Sequence, residues 1–242
     1  MADVHRVADL PGEQRAPDDP HERANDVIPR YFSTYEAKYE LPVVRPVSVQ
    51  RVRRTDGRFV IEATTETGAQ QWHARTLVNA TGTWTRPFVP SYPCQRDFAG
   101  RQLHTVDYPG AQWFAGHRTV VVGGGASAVQ FLGMLAPVVG QDQVVWATRS
   151  APVWRTDDFT PEAGRQAVAM VAERVRAGLP PRSVVSVTGL ALREQESEAQ
   201  RLGVYDARRP MFSRIEAGGV RWDAPEPGAT EFEPADVILW AT

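Results

Sequence analysis

The stretch that most constrains this chain is a strand, a glycine turn and a helix in direct succession. "TVVVGGGASAVQFLGMLAP", residues 119–137, starts with the β-branched run Val120–Val122 and turns through Gly123, Gly124 and Gly125. A helical pattern over Ala126–Ala136 opens immediately after it, and a second apolar run, Gln143–Thr148, follows. The three pieces make one βαβ unit. A G-x-G-x-x-G/A fingerprint falls on Gly123, Gly125 and Ala128. Its first glycine permits the tight turn, its second lets the backbone approach a pyrophosphate, and its third, small position lets helix and strand pack closely. Free N–H groups and the helix dipole then attract the phosphates, and the Ser127 hydroxyl can add a donor. The alternative is a glycine-rich turn with no ligand; such turns are common, and it is the context of strand, helix and second strand that favours the dinucleotide reading.

The end of the second strand selects the cofactor. A carboxylate about 20 positions on would bind the ribose 2′-OH of NAD, whereas an arginine nearby accommodates the 2′-phosphate of NADP. This chain has Thr148, Arg149 and Ser150 there. A guanidinium matches a phosphate in charge and in its forked geometry. The reading is therefore NADP(H), with a solvated strand-end arginine as the alternative.

Upstream the pattern differs. "NDVIPRYFSTYEAKYE" carries Val27, Ile28, Tyr31, Phe32, Tyr35 and Tyr39 at helical spacing, with Asn25 or Asp26 available to cap, and predicts an amphipathic helix packed on a sheet. From Val43 to Val78, short β-rich runs are separated by "TDG" and "ETG". They predict an antiparallel meander feeding a final buried strand over Thr76–Ala80. A long Pro- and aromatic-rich loop follows, of a length that is usually functional or disordered. Downstream, "TPEAGRQAVAMVAERVRAGLPP" predicts a helix. Thr160 is its N-cap, Pro161 its first residue and Gly178 its close. Ala167, Met170, Val171 and Val175 form the expected buried stripe. "ALREQESEAQRLG" predicts a weaker, solvated helix, and the chain ends on a hydrophobic strand, "ADVILWAT".

Composition narrows the function classes. The chain has 242 residues and a formal net charge of -2, with no basic excess to drive nucleic-acid binding. Cys94 is its only cysteine, so an intrachain disulfide is impossible, which suits a reducing cytoplasm. No apolar run reaches membrane-spanning length, and the polar first residues do not read as a secretory signal. The five histidines fall in no metal-ligand spacing. The expected partner is a small-molecule substrate, with no nucleic acid, membrane or metal; oligomeric state is not legible.

"FAGRQLHTVDY", with Phe98, Gly100, His104 and Tyr108, resembles the F-x-G-x-x-x-H-x-x-x-[YF] signature of flavin-containing monooxygenases and their N-hydroxylating and Baeyer–Villiger relatives. It lies just upstream of G-x-G-x-S-A, as in that family. "VNATG", which ends at Thr81 and Gly82, precedes it, and "ADVILWAT" is similar to the family's second A-T-G strand. The resemblance implies an α/β, Rossmann-like FAD/NAD(P)-binding fold: a βαβ NADP domain inserted in an FAD domain, whose part here contains the antiparallel meander. It implies hydride transfer from NADPH to FAD, then oxygenation of a soft nucleophile or ketone. It places His104 and Tyr108 on the linker near the cofactor interface, where they are the catalytic candidates; a hydrogen-bonded loop histidine is the alternative for His104. The cofactor-binding set is Gly123, Gly124, Gly125, Ser127, Ala128, Arg149, Ser150, Thr81 and Gly82.

The division that follows is an irregular lead-in over 1–24, a partial FAD domain and linker over 25–113, an NADP domain over 114–235 and a crossover strand over 236–242. The family's first G-x-G-x-x-G is not found, and the chain stops before the glycine of the second A-T-G. The expectation is a fragment with an intact NADP domain and half an FAD domain, with FAD binding doubtful. Two other classes remain open. A thioredoxin-reductase type needs a cysteine pair in the NADPH domain, which Cys94 alone does not supply; a glutathione-reductase type is disfavoured by the monooxygenase signature. A non-catalytic dinucleotide-binding fragment is the second.

Overall fold

A computed structural model of the chain describes residues 24–82, 84–155, 160–180, 188–192 and 196–242. The expected lead-in lies outside these residues except for Ala24, which is already helical. The chain divides into two compact units, Met1–Thr81 and Gly82–Thr242.

In the first unit, α1 (Ala24–Lys38) precedes a three-stranded antiparallel meander of β1 (Val47–Thr55), β2 (Arg58–Thr65) and β3 (Gly68–Ala74). The first hairpin closes through Asp56 and Gly57, with φ of 49° and 75°. Positive φ at both central residues matches the right-handed twist of the flanking strands, which is why Asp-Gly is favoured there. β2 is the middle strand, and it alone buries side chains fully, at Val60 and Ala63. Asn25 and Asp26 lie inside the first turn of α1 rather than at its cap. Val27, Ile28, Tyr31 and Tyr35 are half-buried, while Phe32 and Tyr39 are exposed. The expected buried strand at Thr76–Ala80 does not form. Leu77 and Val78 are exposed, Val78 to 83%. An apolar run becomes a buried strand only when another strand pairs with it, and none among the described residues does.

The second unit is built on a four-stranded parallel sheet. Its strands are β4 (Arg101–His104), β5 (Thr119–Val122), β6 (Val144–Ala147) and β12 (Val237–Trp240), in the spatial order β4-β12-β5-β6. α2 (Ala126–Val139) joins β5 to β6. Both faces of the sheet are covered, so its strands read as unbroken apolar runs rather than alternating ones. Val121, Val237 and Leu239 point to α2 and pack with Ala128, Leu132 and Leu135. Val120, Val122, Ile238 and Trp240 point the other way. There they meet Phe98, Phe212 and Trp222, together with Ile215 and Val220 of the small antiparallel sheet β9 (Arg214–Glu216), β10 (Gly219–Arg221) and β11 (Phe232–Pro234).

The long loop after Gly82 is more ordered than its composition predicts. It contains β4 and three single 3-10 turns, at Gln95–Asp97, Thr105–Asp107 and Ala111–Phe114. The terminal strand, set apart in the sequence as a crossover, sits inside the parallel sheet between β4 and β5. Its entry is clamped. Arg118 Nε and Nη2 donate to the Asp236 carboxylate at 3.1 Å each, and the Arg118 backbone N–H donates to it at 2.8 Å.

A further parallel pair, β7 (Trp154–Arg155) and β8 (Leu190–Ala191), flanks α3 (Pro161–Arg176) in sequence. Thr160 caps α3 by accepting from the Ala163 N–H at 3.2 Å, and Gly178 turns the chain with φ of 73°. The buried stripe is narrower than expected: Ala167 is buried and Val171 half-buried, but Met170 and Val175 are exposed. Alanine, valine and methionine at helical spacing do not fix which face turns inward when little covers the helix. The weak helix shortens to α4 (Ser197–Arg201), and residues 193–195 of that run lie outside the described residues.

The Asp236 clamp makes stability pH-dependent. The Arg118 side chain, and then its backbone N–H, hold the Asp236 carboxyl below its ordinary value. A carboxyl depressed in the folded state contributes stability that is present above its unfolded value and lost as pH falls through the folded one. Asp236→Asn is expected to flatten the acid limb of a thermal-unfolding pH series below about pH 4. A limb as steep as that of the wild type would assign the acid sensitivity elsewhere.

Candidate functional site

The four parallel strands end in one row. Cα pairing places His104 beside Trp240, Trp240 beside Val122 and Val122 beside Ala147. The residues just beyond these ends share the carboxyl edge of the sheet, where open α/β folds bind their ligands. Three groups of expected site residues meet there: His104, the glycine cluster 123–125 and the corner 148–150.

The glycine cluster divides its tasks. Gly123 has φ of 150°, and a Cβ on it would lie 2.3 Å from the Ala241 carbonyl oxygen. Its N–H donates to the Ala147 carbonyl at 3.0 Å, and its carbonyl accepts from Trp146 Nε1 at 2.7 Å. A Cβ on Gly124 would lie 2.8 Å from Thr148 Oγ1. Gly125, the N-cap of α2, has extended backbone, and a Cβ on it would meet nothing within 4 Å. Neither its backbone conformation nor a neighbouring protein atom requires glycine there. Ala126 and Ser127 are exposed in the first turn of α2, with N–H groups that the helix leaves unpaired. Ala128, the small third position, is fully buried against the sheet. An open cradle at a helix N-terminus suits an anionic group, so these residues fit a dinucleotide pyrophosphate.

At the end of β6, Thr148 is buried, and its hydroxyl donates to the Ser150 carbonyl at 3.1 Å. That bond turns Arg149 and Ser150 outward, and both are exposed. Tyr92 stacks on Trp240, with ring centroids 5.9 Å apart, and burial pushes its hydroxyl pKa up while the charge of Arg149 acts against it. The sequence reading missed Arg208. Its Nη1 donates to the Thr148 carbonyl at 3.3 Å, across 60 residues of chain. The Arg208-Arg209 doublet carries no local signal of that proximity; only pairing beside β6 creates it.

His104 is buried at the end of β4. Its backbone N–H donates to Asp107 Oδ2 at 3.0 Å, and its ring Nε2 lies 3.3 Å from the Thr242 carbonyl oxygen. Tyr108 turns away from this row. Its ring packs on Phe131 and Phe114, with centroids 4.7 and 5.7 Å away, and its hydroxyl points to Met134 Sδ at 3.9 Å. Burial raises its pKa. Tyr108 thus supports α2 by packing. At the A-T-G turn, Asn79 Oδ1 accepts from the Thr81 N–H and hydroxyl at 3.2 and 2.9 Å, and Gly82 follows with φ of 65°. No group of His, Cys, Asp and Glu able to hold a metal occurs among the described residues, and no described helix is long and apolar enough to cross a membrane.

The family model of pyridine nucleotide-disulphide oxidoreductases matches residues 3–164. The chain belongs to this family. Among curated relatives, indole-3-pyruvate monooxygenase YUCCA1 of Oryza sativa subsp. japonica is 35% identical over 107 residues, which are 44% of this chain and 23% of the rice protein. The uncharacterised oxidoreductase CzcO of Bacillus velezensis is 28% identical over 148 residues, 60% of this chain and 40% of that protein. A flavin-containing monooxygenase from Stenotrophomonas maltophilia superposes with a TM-score of 0.64 at 30% identity, covering 88% of this chain and 55% of that one. A double mutant of the flavin monooxygenase from the same organism gives 0.70 at 30% identity, covering 96% and 61%. The chain therefore spans less than half the length of these curated relatives and somewhat over half of the structural ones. Bacillithiol disulfide reductase of Bacillus cereus, at 14% identity and a TM-score of 0.56, shares the fold. With one cysteine, an exposed one, this chain cannot form a redox disulfide within itself.

Two glycine substitutions separate the structural role from the ligand role. Gly123→Ala should lower stability by about 2 kcal/mol or more, through backbone strain and the clash with Ala241. Gly125→Ala should stay within about 1 kcal/mol of the wild type yet lose at least about tenfold in NADPH affinity, because its Cβ enters the cradle. Thermal melts and a fluorescence titration measure both. Undiminished NADPH binding by Gly125→Ala would show that no ligand lies against this turn.

Proposed function

We propose that the chain is the NADPH-binding part of an FAD-dependent oxidoreductase of monooxygenase type, acting on a small molecule. The observation that carries this reading is the order of groups along one sheet edge: Arg149 beyond β6, open Gly125 beyond β5, and His104 at the end of β4. Three strand spacings separate the two outer strands, about 14 Å. That span suits an extended dinucleotide with its adenosine at β6, its pyrophosphate at Gly125 and its nicotinamide toward β12 and β4.

When bound, NADPH would supply a hydride, with FAD as its acceptor and dioxygen as the final oxidant. The chain's own residues bind and orient. The amides at the start of α2, and the Ser127 hydroxyl, hold the pyrophosphate. Arg149 pairs with the 2′-phosphate, with the Arg208 guanidinium at the same corner. His104, buried beside the row of strand ends, closes the far side of the edge against water. Thr81 and Gly82 are proposed to face FAD, for which no phosphate-binding turn occurs among the described residues.

The monooxygenase names of the relatives, and the F-x-G-x-x-x-H signature around His104, support the oxygenating class. The single cysteine, Cys94, supports a cytoplasmic setting and weighs against a redox-disulfide mechanism within this chain. The division into an FAD-side part over 25–113, an NADP part over 114–235 and a returning strand over 236–242 is retained as a division by cofactor. The boundary between Thr81 and Gly82 is one of compactness.

Selectivity between nucleotides tests the reading. Wild-type protein should bind NADPH more tightly than NADH. Arg149→Ala should weaken NADPH about tenfold, the worth of one charge-assisted contact, and leave NADH nearly unchanged. Equal losses for the two nucleotides would mean that Arg149 does not read the 2′-phosphate.

A further inference from the structure

Arg209 is a charged side chain for which nucleotide binding gives no direct use. Its side chain is only 13% exposed. The guanidinium carbon lies 3.5 Å from the Trp222 ring centroid. Nη1 donates to Thr230 Oγ1 at 3.2 Å and to Glu233 Oε2 at 3.3 Å, and Nη2 donates to the Thr230 carbonyl. Trp222 returns the grip, because its Nε1 donates to the carbonyl of Pro210, the next residue, at 2.9 Å. The Arg209 side chain thus holds Trp222, and Trp222 holds the backbone that carries Arg209.

The backbone of Arg209 is clipped to the end of β6. Its N–H donates to the Trp146 carbonyl at 2.8 Å, and its carbonyl accepts from the Thr148 N–H at 3.1 Å, forming a parallel bridge with Ala147. Withdrawing a guanidinium from water is costly unless its hydrogen bonds are replaced. Here burial lowers the Arg209 pKa, and the carboxylates of Glu233 and Glu226 oppose that shift.

The residue before this anchor is Arg208, whose side chain reaches the Thr148 carbonyl. Its contact with Glu226 is 3.8 Å, too long for a hydrogen bond, so the guanidinium retains donors for another acceptor. Exposed Arg149 follows Thr148 directly. A phosphomonoester carries close to two negative charges and several acceptor oxygens, and two forked guanidinia match it better than one.

We infer that Arg209 is a positioning residue for nucleotide selectivity. Seated on Trp222, it holds Arg208 at the Thr148 corner, so that Arg208 and Arg149 together grip the 2′-phosphate of the adenosine half. The inference rests on the NADP reading of the site and adds to it a second phosphate ligand and the device that aims it.

The test uses the full chain with Arg209→Lys, Trp222→Phe, Arg208→Gln and the Arg208→Gln/Arg209→Lys double variant, titrated with NADPH and NADH. Lysine keeps the charge but cannot lie flat on the indole while bonding Thr230 and Glu233. Phenylalanine keeps an aromatic face but loses the bond to Pro210, and it carries the test alone if Arg209→Lys does not fold. NADPH affinity is expected to fall about five- to tenfold in each single variant while NADH affinity stays within about twofold. The double variant should lose little beyond Arg208→Gln, because Arg209 acts through Arg208. Parallel losses for both nucleotides, or losses that simply add in the double variant, would reduce Arg209 to a stabilising residue and overturn the inference. A wild type that does not prefer NADPH would overturn the NADP reading and this inference with it.

Discussion

The close approach of Gly123 to Ala241 organises the second unit. Inserting Val237–Trp240 between β4 and β5 brings the Ala241 carbonyl within 2.3 Å of where a Cβ on residue 123 would stand. The Ala241 N–H in turn donates to the Val122 carbonyl at 2.7 Å. A side chain at 123 would push the strands apart or turn the chain elsewhere. With glycine there, β5 turns at once into α2 and the helix start stands beside the sheet edge. Gly124 continues the turn against Thr148, and Gly125, with nothing within 4 Å, is the position left open. Three adjacent glycines therefore meet three environments: a strand, a threonine hydroxyl and the space over the edge.

Around that turn, the two faces of the sheet do different work. The α2 face is apolar and is braced by aromatic side chains, among them Tyr205, whose hydroxyl donates to the Val129 carbonyl at 3.0 Å and whose pKa burial raises. The opposite face carries its polar groups near the corner of β6. Arg209 over Trp222 and the backbone bridge to Ala147 join the small antiparallel sheet to the strand whose end presents Arg149. Exposed local pairs such as Arg165 with Glu162 and Arg201 with Glu198 contribute little. The buried guanidinium of Arg209 stands apart from them.

Where a local rule was sufficient, the sequence was legible. The βαβ unit followed from Val120–Val122, the glycines and the apolar run before Arg149. Thr160, Pro161 and Gly178 marked α3, and Asp56-Gly57 marked the first hairpin. Where the outcome depends on a distant neighbour, reading failed. β4 hid in a Pro-rich loop because it becomes a strand only by pairing with β12, more than 130 residues later. Thr76–Ala80 has a strand's composition but no partner strand among the described residues. The stripe on α3 was drawn too wide, because Met170 and Val175 follow the helical period without anything packing over them. Around the proposed site, the positions of the glycine turn and of exposed Arg149 were legible because both follow from the local strand-turn-helix-strand pattern. Arg208 was not, since only the bridge beside β6 brings it to Thr148.

The central claim is that a dinucleotide pyrophosphate lies against the start of α2. Amide chemical shifts measured during an NADPH titration of isotope-labelled protein test it directly. The Gly125, Ala126 and Ser127 amides should shift most, with the Arg149 region following, while the Gly57 turn stays still. Shifts confined to other segments, with the amides of 125–127 unmoved at saturation, would contradict the account.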